Sequence, residues 1–206
     1  NTVYCVDKDK TKIKLLNSGH IPIYEPGLEE IVKRNSSKKR LIFTDDLRTA
    51  IRNSKIIFIC VGTPTKKNSN KADLKYVFQV ANQLKKYIHN YKIIVTKSTV
   101  PVTTGDKIEK ILKKLKVKKL IDVVSNPEFL REGEAIRDFI YPDRVVVGSN
   151  DKKSNLIIKN LYSPLVSKGA KYMSTNRRSA ELIKYASNSF LATKITFINE
   201  IANLCE

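Results

Sequence analysis

Short apolar runs alternate with helix-like segments along almost the whole sequence, and this alternation narrows the possible folds more than any other feature. The clearest run, residues 55–61, is almost continuously apolar, which is typical of a strand covered on both faces of a parallel sheet. Comparable runs predict further strands at 2–6, 41–43, 91–96, 121–125, 144–148 and 171–174. Alternation of strands and helices with short connections predicts an α/β fold with a doubly wound, mostly parallel, Rossmann-like sheet.

The last part of the chain has a different pattern. From Arg178 to Glu206 there is no Gly or Pro, and apolar residues recur at helical spacing. This predicts one long interdomain helix with an apolar stripe, so we expect a homodimer or a higher homo-oligomer. We therefore expect an N-terminally incomplete Rossmann-like domain over residues 1–175 and the start of a central helical dimerisation domain over residues 176–206.

The formal net charge of +19 raises the question of a polyanionic partner. The basic residues are spread along the chain, with runs such as 113–119, and form no single arm or aromatic-interleaved stripe. We therefore predict no nucleic-acid partner and interpret the charge as favouring small anionic ligands such as nucleotides. No apolar run reaches the ~18 residues of a membrane span, so we predict no membrane association.

The cysteines are few and unpaired in sequence. There are three, an odd number, and their spacing matches no metal-binding motif. We predict no metal site, free thiols, and a reducing, cytoplasmic location. Cys5 and Cys60 fall in predicted strands and Cys205 in the long predicted helix, where buried structural thiols are usual, so we expect all three to be buried.

The segment from Val123 to Gly133 carries the most informative acid. We predict that it begins as a buried strand, turns at Asn126-Pro127-Glu128, and ends as the first turn of a helix. Ligands of open parallel α/β sheets bind outside the carboxyl ends of the strands, so Glu128 is a candidate general base. The alternative is that Glu128 only caps the following helix.

Other strand ends also carry candidate ligand-binding residues. Asp7 ends the first strand and fits the acid that binds the adenosine ribose in dinucleotide folds, but the Gly-rich turn expected about 20 residues earlier is absent. Residues 62–65 are small or hydroxylic and suit close cofactor approach, although a plain turn is the alternative. Hydroxyls cluster over residues 98–104 before a helix predicted from Gly105 to Leu115.

Six segments together resemble the UDP-glucose/GDP-mannose dehydrogenase family, in the family's order and over nearly the whole chain. The segments are 22–30 (PIYEPGLEE), 61–65 (VGTPT), 96–101 (TKSTVP), 126–133 (NPEFLREG), 142–145 (PDRV) and 181–188 (ELIKYASN). The first and fourth favour the branch that acts on UDP-glucose, and the GDP-mannose branch is the main alternative.

The resemblance implies NAD-dependent four-electron oxidation of UDP-glucose at C6 to UDP-glucuronate, through a cysteine-bound thiohemiacetal and thioester. Oxidation of GDP-mannose or a UDP-N-acetylhexosamine, or an inactive nucleotide-binding fragment, are the alternatives. The motif of the cysteine nucleophile is absent from these 206 residues, so we expect that they cannot complete the reaction alone.

The resemblance also implies residue roles. Glu128 is the implied general base, acting through a water that Thr99 positions, while Lys184 and Asn188 stabilise the oxyanion at C6. These two are four residues apart and so share one helix face, although a solvated polar stripe is the alternative. Implied cofactor contacts are Asp7, Lys12, Val61, Gly62, Thr63, Pro64, Thr65, Ser98, Thr99, Val100 and Glu132. Implied substrate contacts are Glu128, Phe129, Leu130, Arg131, Glu132, Lys184 and Asn188.

Overall fold

A computed structural model describes residues 1–113 and 120–206. The described strands are Val3–Val6 (β1), Leu41–Thr44 (β2), Ile56–Ile59 (β3), Lys92–Thr96 (β4), Ile121–Ser125 (β5), Arg144–Ser149 (β6) and Lys171–Thr175 (β7). The described helices are Lys10–Asn17 (α1), Leu28–Ser37 (α2), Leu47–Asn53 (α3), Lys75–Tyr87 (α4), Thr104–Leu112 (α5), Ala135–Ile140 (α6), Lys152–Leu161 (α7), Ser163–Val166 (α8) and Arg177–Cys205 (α9). Each strand predicted from an apolar run is present, with small differences at the ends.

The strands form one two-stranded and one five-stranded sheet among the described residues. β1 pairs with β2 in parallel, and the larger sheet has the order β3-β4-β5-β6-β7. All its pairs are parallel except β5 with β6. Because β6 and β7 run the other way, their amino ends lie at the edge where β3, β4 and β5 end. The predicted α/β fold with a mostly parallel sheet is confirmed.

Helices cover both faces of the larger sheet. Along β4, Ile94 packs into a cluster with α4 and α5, whereas its neighbours Ile93 and Val95 pack into a second cluster with α7. Side chains alternate between faces along a strand, so these two clusters are the two halves of the core. β4 is buried at all five positions, but β3 is fully buried only at Ile59. In β3, Ile57 and Ile59 pack into the first cluster and Ile56 and Phe58 pack against the second, so the two-sided cover expected for residues 55–61 is confirmed, although burial is less complete than in β4.

Two further expectations are corrected by the structure. Residues 126–134 form an irregular loop and the helix begins only at Ala135, so the predicted helical turn at the end of the Val123–Gly133 segment is wrong. Glu128 Oε2 accepts a hydrogen bond of 2.6 Å from the Leu130 amide, and such local bonds compete with helix formation. The helix predicted to end at residue 115 is observed over Thr104–Leu112, and residues 114 and 115 lie outside the described residues.

The cysteines differ from expectation as well. Cys5, Cys60 and Cys205 are all exposed, so the prediction of buried thiols is wrong. Cys60 lies just beyond β3, where the sheet edge is open, and Cys205 ends α9, where that helix has no cover among the described residues.

The long helix α9 begins packed on the sheet and then leaves it. Asn176 caps it by accepting a hydrogen bond of 2.9 Å from the Ser179 amide. Close approach of its first turn to β6 requires Gly148, because a Cβ there would lie 2.6 Å from the Ala180 Cβ. From residue 188 onward every residue of the helix is exposed. No helix in the described parts of the chain is long and apolar enough to cross a membrane.

Candidate active site

The acid of the Asn-Pro-Glu corner and the amine of α9 meet at the carboxyl end of β5. Lys184 Nζ lies 3.1 Å from Glu128 Oε1, and the two side chains are 9% and 28% exposed. A lysine ammonium this deeply buried needs a charged partner, and Glu128 supplies it. The structure thus brings together two predicted site residues that are far apart in sequence.

Two cations, Lys184 and Arg144, lie over the ring of Phe129. The Lys184 ammonium is 5.3 Å from the centre of this ring, and the Arg144 guanidinium carbon is 4.6 Å from it. Cations over an aromatic face are attracted by the ring quadrupole. The Phe129 ring thus contacts both cations, and Arg144 is a neighbour of the site to which we assigned no role from the sequence.

Lys184 is held in place by the first turns of α9. One turn before it, the buried carboxylate of Glu181 accepts hydrogen bonds of 2.7 Å from the amides of Thr103 and Gly105 at the start of α5. Burial raises the pKa of Glu181, which these two amide bonds oppose. Arg177 pairs with Asp106 at 2.7 Å and also with Glu109. These contacts fix α9 on α5, and sequence reasoning assigned none of them.

The loop after Glu128 is organised by two acids. Glu25, from the loop before α2, accepts hydrogen bonds of 2.9 Å from the Gly133 amide and 3.1 Å from the Ala135 amide. Arg131 donates three hydrogen bonds to Asp138, two from its side chain at 3.0 and 2.7 Å and one from its backbone amide at 2.9 Å. These bonds lower the pKa of Asp138 to about 2. Arg131 is thus engaged with Asp138 rather than free, while Leu130 and Glu132 are exposed on the same loop.

The residues predicted to bind the cofactor lie at the ends of β1, β3 and β4. Asp7 follows β1 directly, and its carboxylate accepts a hydrogen bond of 2.8 Å from Lys12, which lowers its pKa. Thr63 donates to the Thr99 carbonyl at 2.9 Å, and Ser98 donates to the Val61 carbonyl at 2.6 Å. These two bonds tie the loops after β3 and β4 together.

Other predicted residues are less directly placed. Pro64 and Thr65 are exposed beyond Gly62, whereas Val100 is buried in the core cluster of α4 and α5. Asn188 lies one turn beyond Lys184 on α9 and is exposed. Pro64 and Thr65 are thus open to a ligand, and the side chain of Val100 serves packing.

Lys97, at the end of β4, adds a second ammonium to the site. Its Nζ lies 3.4 Å from Asn126 Oδ1 and 5.9 Å from the centre of the Tyr162 ring. Burial lowers the pKa of Lys97, and the charge of Lys184 adds to this, whereas Glu128 raises it. Two ammonium groups thus lie close enough to Glu128 to feel its charge, an arrangement suited to an anionic ligand.

An open, mostly parallel sheet with an acid after β1 and a charged cluster at the carboxyl strand ends defines a Rossmann-type dinucleotide-binding protein. Residues 1–166 match the NAD binding domain of the UDP-glucose/GDP-mannose dehydrogenase family, and residues 178–206 match its central domain. The chain belongs to this family, and NAD is the cofactor of its nucleotide-binding domain.

Individual relatives agree with this assignment. The chain is 50% identical to a UDP-glucose 6-dehydrogenase of Rhizobium meliloti, over 99% of its own length and 47% of that relative. It is 51% identical to the UDP-glucose 6-dehydrogenase TuaD of Bacillus subtilis, over 100% of its own length and 44% of TuaD. The chain therefore spans about half the length of the curated relatives it matches.

Solved structures give the same picture. A UDP-glucose dehydrogenase from Pyrobaculum islandicum superposes with a TM-score of 0.91 at 37% identity, over 98% of this chain and 46% of that one. A GDP-mannose dehydrogenase from Pseudomonas aeruginosa superposes with a TM-score of 0.92 at 36% identity, over 97% and 47%. The fold is thus common to both substrate branches of the family.

Proposed function

We propose that this chain contributes the nucleotide-binding domain and the acid–ammonium pair of an enzyme that oxidises the C6 alcohol of UDP-glucose to a carboxylate. The observation that carries this proposal is the 3.1 Å contact between Lys184 and Glu128 at the carboxyl end of the sheet. Oxidation from alcohol to carboxylate removes four electrons and so consumes two NAD⁺ and one water. UDP-glucose is favoured over GDP-mannose because the curated relatives at about 50% identity bear the former name.

The residues at the strand ends fit NAD. Asp7 presents a carboxylate at the end of β1, where ribose hydroxyls can donate to it, and Lys12 keeps that carboxylate ionised. A Cβ placed on Gly62 would meet no atom within 4 Å, so the loop after β3 leaves room for a ligand. The loops after β3 and β4 carry Val61, Thr63, Ser98 and Thr99. Glu132 is exposed four residues after Glu128. When bound, NAD⁺ supplies the hydride acceptor.

Glu128 acts as the general base. Hydride leaves an alcohol carbon only as the hydroxyl proton is lost, so a base must lie within hydrogen-bond reach. Glu128 is suited to this because one carboxylate oxygen is fixed by the Leu130 amide and the other faces Lys184. It takes the proton through a water positioned by Thr99.

Lys184 stabilises the negative charge that develops on the C6 oxygen. Its ammonium is already beside Glu128, so a substrate oxygen that approaches the pair can contact both groups. A fixed, poorly solvated donor is effective here, and removing one such donor typically costs about 10²–10³ in rate. Asn188 supplies a second donor one turn along α9, and residues 129–131 contact the sugar nucleotide.

The assembly and location follow from other features. We propose that residues 176–206 open a second, helical domain and that a second copy of the chain covers its exposed apolar residues. These residues are Phe190, Leu191, Ile195, Phe197, Ile198, Ile201 and Leu204. Light scattering of the intact protein should therefore give at least twice the subunit mass, and a monomer would contradict this. The free thiols support a reducing, cytoplasmic location, testable by cell fractionation.

The substrate assignment is tested by counting NADH. The intact protein that carries these residues is supplied separately with UDP-glucose, GDP-mannose and UDP-N-acetylmannosamine. We expect two NADH per sugar with UDP-glucose and little with the others. Two NADH with another sugar nucleotide would reassign the substrate, and binding of NAD without any NADH would indicate an inactive nucleotide-binding protein.

A further inference from the structure

A buried hydrogen-bond network lies directly beneath the Asn-Pro-Glu corner. Asn126 is 1% exposed and Tyr162, which follows α7, is 6% exposed. The Tyr162 hydroxyl donates to Asn126 Oδ1 at 2.5 Å, and Asn126 Nδ2 donates to the Val146 carbonyl at 2.8 Å. The backbone N–H of Asn126 donates to the Thr96 carbonyl at 2.9 Å. One residue thus joins the end of β5 to β4, β6 and the end of α7.

We propose that Asn126 and Tyr162 are positioning residues that fix the general base Glu128, and this inference rests on the function proposed above. Both residues are buried, and we assign neither a contact with substrate or cofactor. They act through the backbone, because Asn126 is separated from Glu128 only by Pro127.

The backbone at the corner transmits this constraint. Proline has a fixed φ, and the residue before a proline is restricted to extended conformations. Asn126 is held by hydrogen bonds to three elements, and Pro127 is buried. The backbone that leads into Glu128 is therefore restricted to one conformation. The Glu128 carboxylate then closes a local turn with the Leu130 amide at 2.6 Å. The Glu128 side chain is thereby fixed both by the hydrogen bonds of Asn126 and by the loop that follows.

The position of the Asn126 side chain depends on the Tyr162 hydroxyl. Without it, Asn126 Oδ1 faces only the Lys97 ammonium at 3.4 Å, which is a long hydrogen bond. A buried acceptor that loses its donor favours a change of rotamer, and here the Asn126 side chain is what holds the corner. A shift of about 1 Å in a catalytic group can lower a rate by about 10²-fold. Burial raises the pKa of Tyr162, so its hydroxyl remains a donor over the working pH range.

The sequence offers a matched pair of tyrosines for the test. Tyr162→Phe removes the hydroxyl that binds Asn126. Tyr172→Phe removes the same atom from a half-buried tyrosine of β7, whose hydroxyl contacts the Asn155 carbonyl at 3.2 Å, away from the corner. In the intact protein we expect kcat of Tyr162→Phe to fall about tenfold or more, with KM for UDP-glucose and the Kd for NAD within about twofold of wild type. Tyr172→Phe should match wild type in all three.

A second measurement does not depend on turnover. The Leu130 amide donates to Glu128 and lies on an exposed residue, so its hydrogen exchange reports whether the carboxylate is in place. We expect exchange of this amide to be faster in Tyr162→Phe and unchanged in Tyr172→Phe. Asn126→Asp, which keeps the acceptor for Tyr162 but loses the donor to the Val146 carbonyl, should also accelerate it.

The outcomes separate this inference from the proposed function. If wild type forms no NADH with any sugar nucleotide, the proposed function fails, and the exchange of the Leu130 amide still tests the network. If wild type is active but Tyr162→Phe equals Tyr172→Phe in kcat and in exchange, the positioning role is overturned. If Tyr162→Phe does not fold, the same comparison is made with Asn126→Asp, and an unchanged kcat and unchanged exchange in that variant overturn the inference.

Discussion

Replacing Lys184 by methionine should remove activity without removing stability. The ammonium is almost buried, with its side chain 9% exposed, and its partner Glu128 is 28% exposed. Methionine keeps the apolar contact with Phe129, and it removes the desolvation cost of the buried ammonium. Replacing a whole buried ion pair by apolar residues is often neutral or stabilising, by about 1–4 kcal/mol, whereas removing one partner is costly only where the charge left behind is itself buried. The Glu128 carboxylate left behind is partly hydrated, so we expect the free energy of unfolding to stay within about 1 kcal/mol of wild type.

The effect on rate should be large in the same variant. Loss of one fixed donor to the developing oxyanion costs about 10²–10³ in kcat, or roughly 2.7–4 kcal/mol of transition-state stabilisation. The complementary change, Glu128→Gln, should lower kcat and also stability, by about 3 kcal/mol, because it leaves the Lys184 ammonium buried without a counterion. The two variants therefore separate the catalytic from the structural effect of one ion pair.

Both effects can be measured on the intact protein. Urea unfolding followed by circular dichroism gives the stability, and initial NADH formation gives kcat. Lys33→Met is the control, since Lys33 forms an exposed pair with Glu29 and should change neither quantity. The reasoning is refuted if Lys184→Met retains kcat within a factor of three, or if it destabilises the protein more than Glu128→Gln does.

Three further predictions concern the cofactor, pH and packing. Asp7→Ala should raise the Kd for NAD about tenfold or more in calorimetry, and a change below twofold would exclude its ribose contact. Because Arg131 lowers the pKa of Asp138 to about 2, Asp138 stabilises the fold above about pH 4 and loses this effect as the pH falls towards 2. The gap in urea midpoint between wild type and Asp138→Asn should therefore close over that range, and a gap independent of pH would contradict it. Gly148→Ala should destabilise by more than about 2 kcal/mol, because its Cβ would lie 2.6 Å from the Asn176 carbonyl oxygen, whereas Gly62→Ala should be nearly neutral in the same unfolding assay.

The strands were predictable because buried strands are rich in consecutive apolar residues. β4 is buried at every position, and its three central residues are all apolar. The antiparallel direction of β6 was not predictable, because the connection over residues 126–143 is long enough for a return in either direction. Cover on both faces of β3 was predicted correctly, but its incomplete burial was not predictable, because an apolar run does not reveal whether its strand lies in the middle or at the end of a sheet.

The candidate site was predictable only in part, for a similar reason. The proximity of Glu128 and Lys184 was inferred from six ordered family segments. No local sequence pattern relates residues that are so distant in sequence. Tyr162 and Glu181 were missed because their partners lie on other elements. A signal did exist for each: Tyr162 is four residues after Ile158 on the buried face of α7, and Glu181 is an acid beside Ala180 on the buried start of α9. A polar group at a position that periodicity assigns to the core indicates a buried hydrogen-bond network.

A double-mutant cycle on Glu128 and Lys184 tests most directly whether the two groups act on one carbon. The first hydride transfer from UDP-glucose is measured in single turnovers for wild type, Glu128→Gln, Lys184→Met and the double variant. Groups that act as a unit are strongly non-additive, so the double variant should be about as slow as the slower single variant. Rate losses that multiply would show that the two residues act independently and would contradict the account.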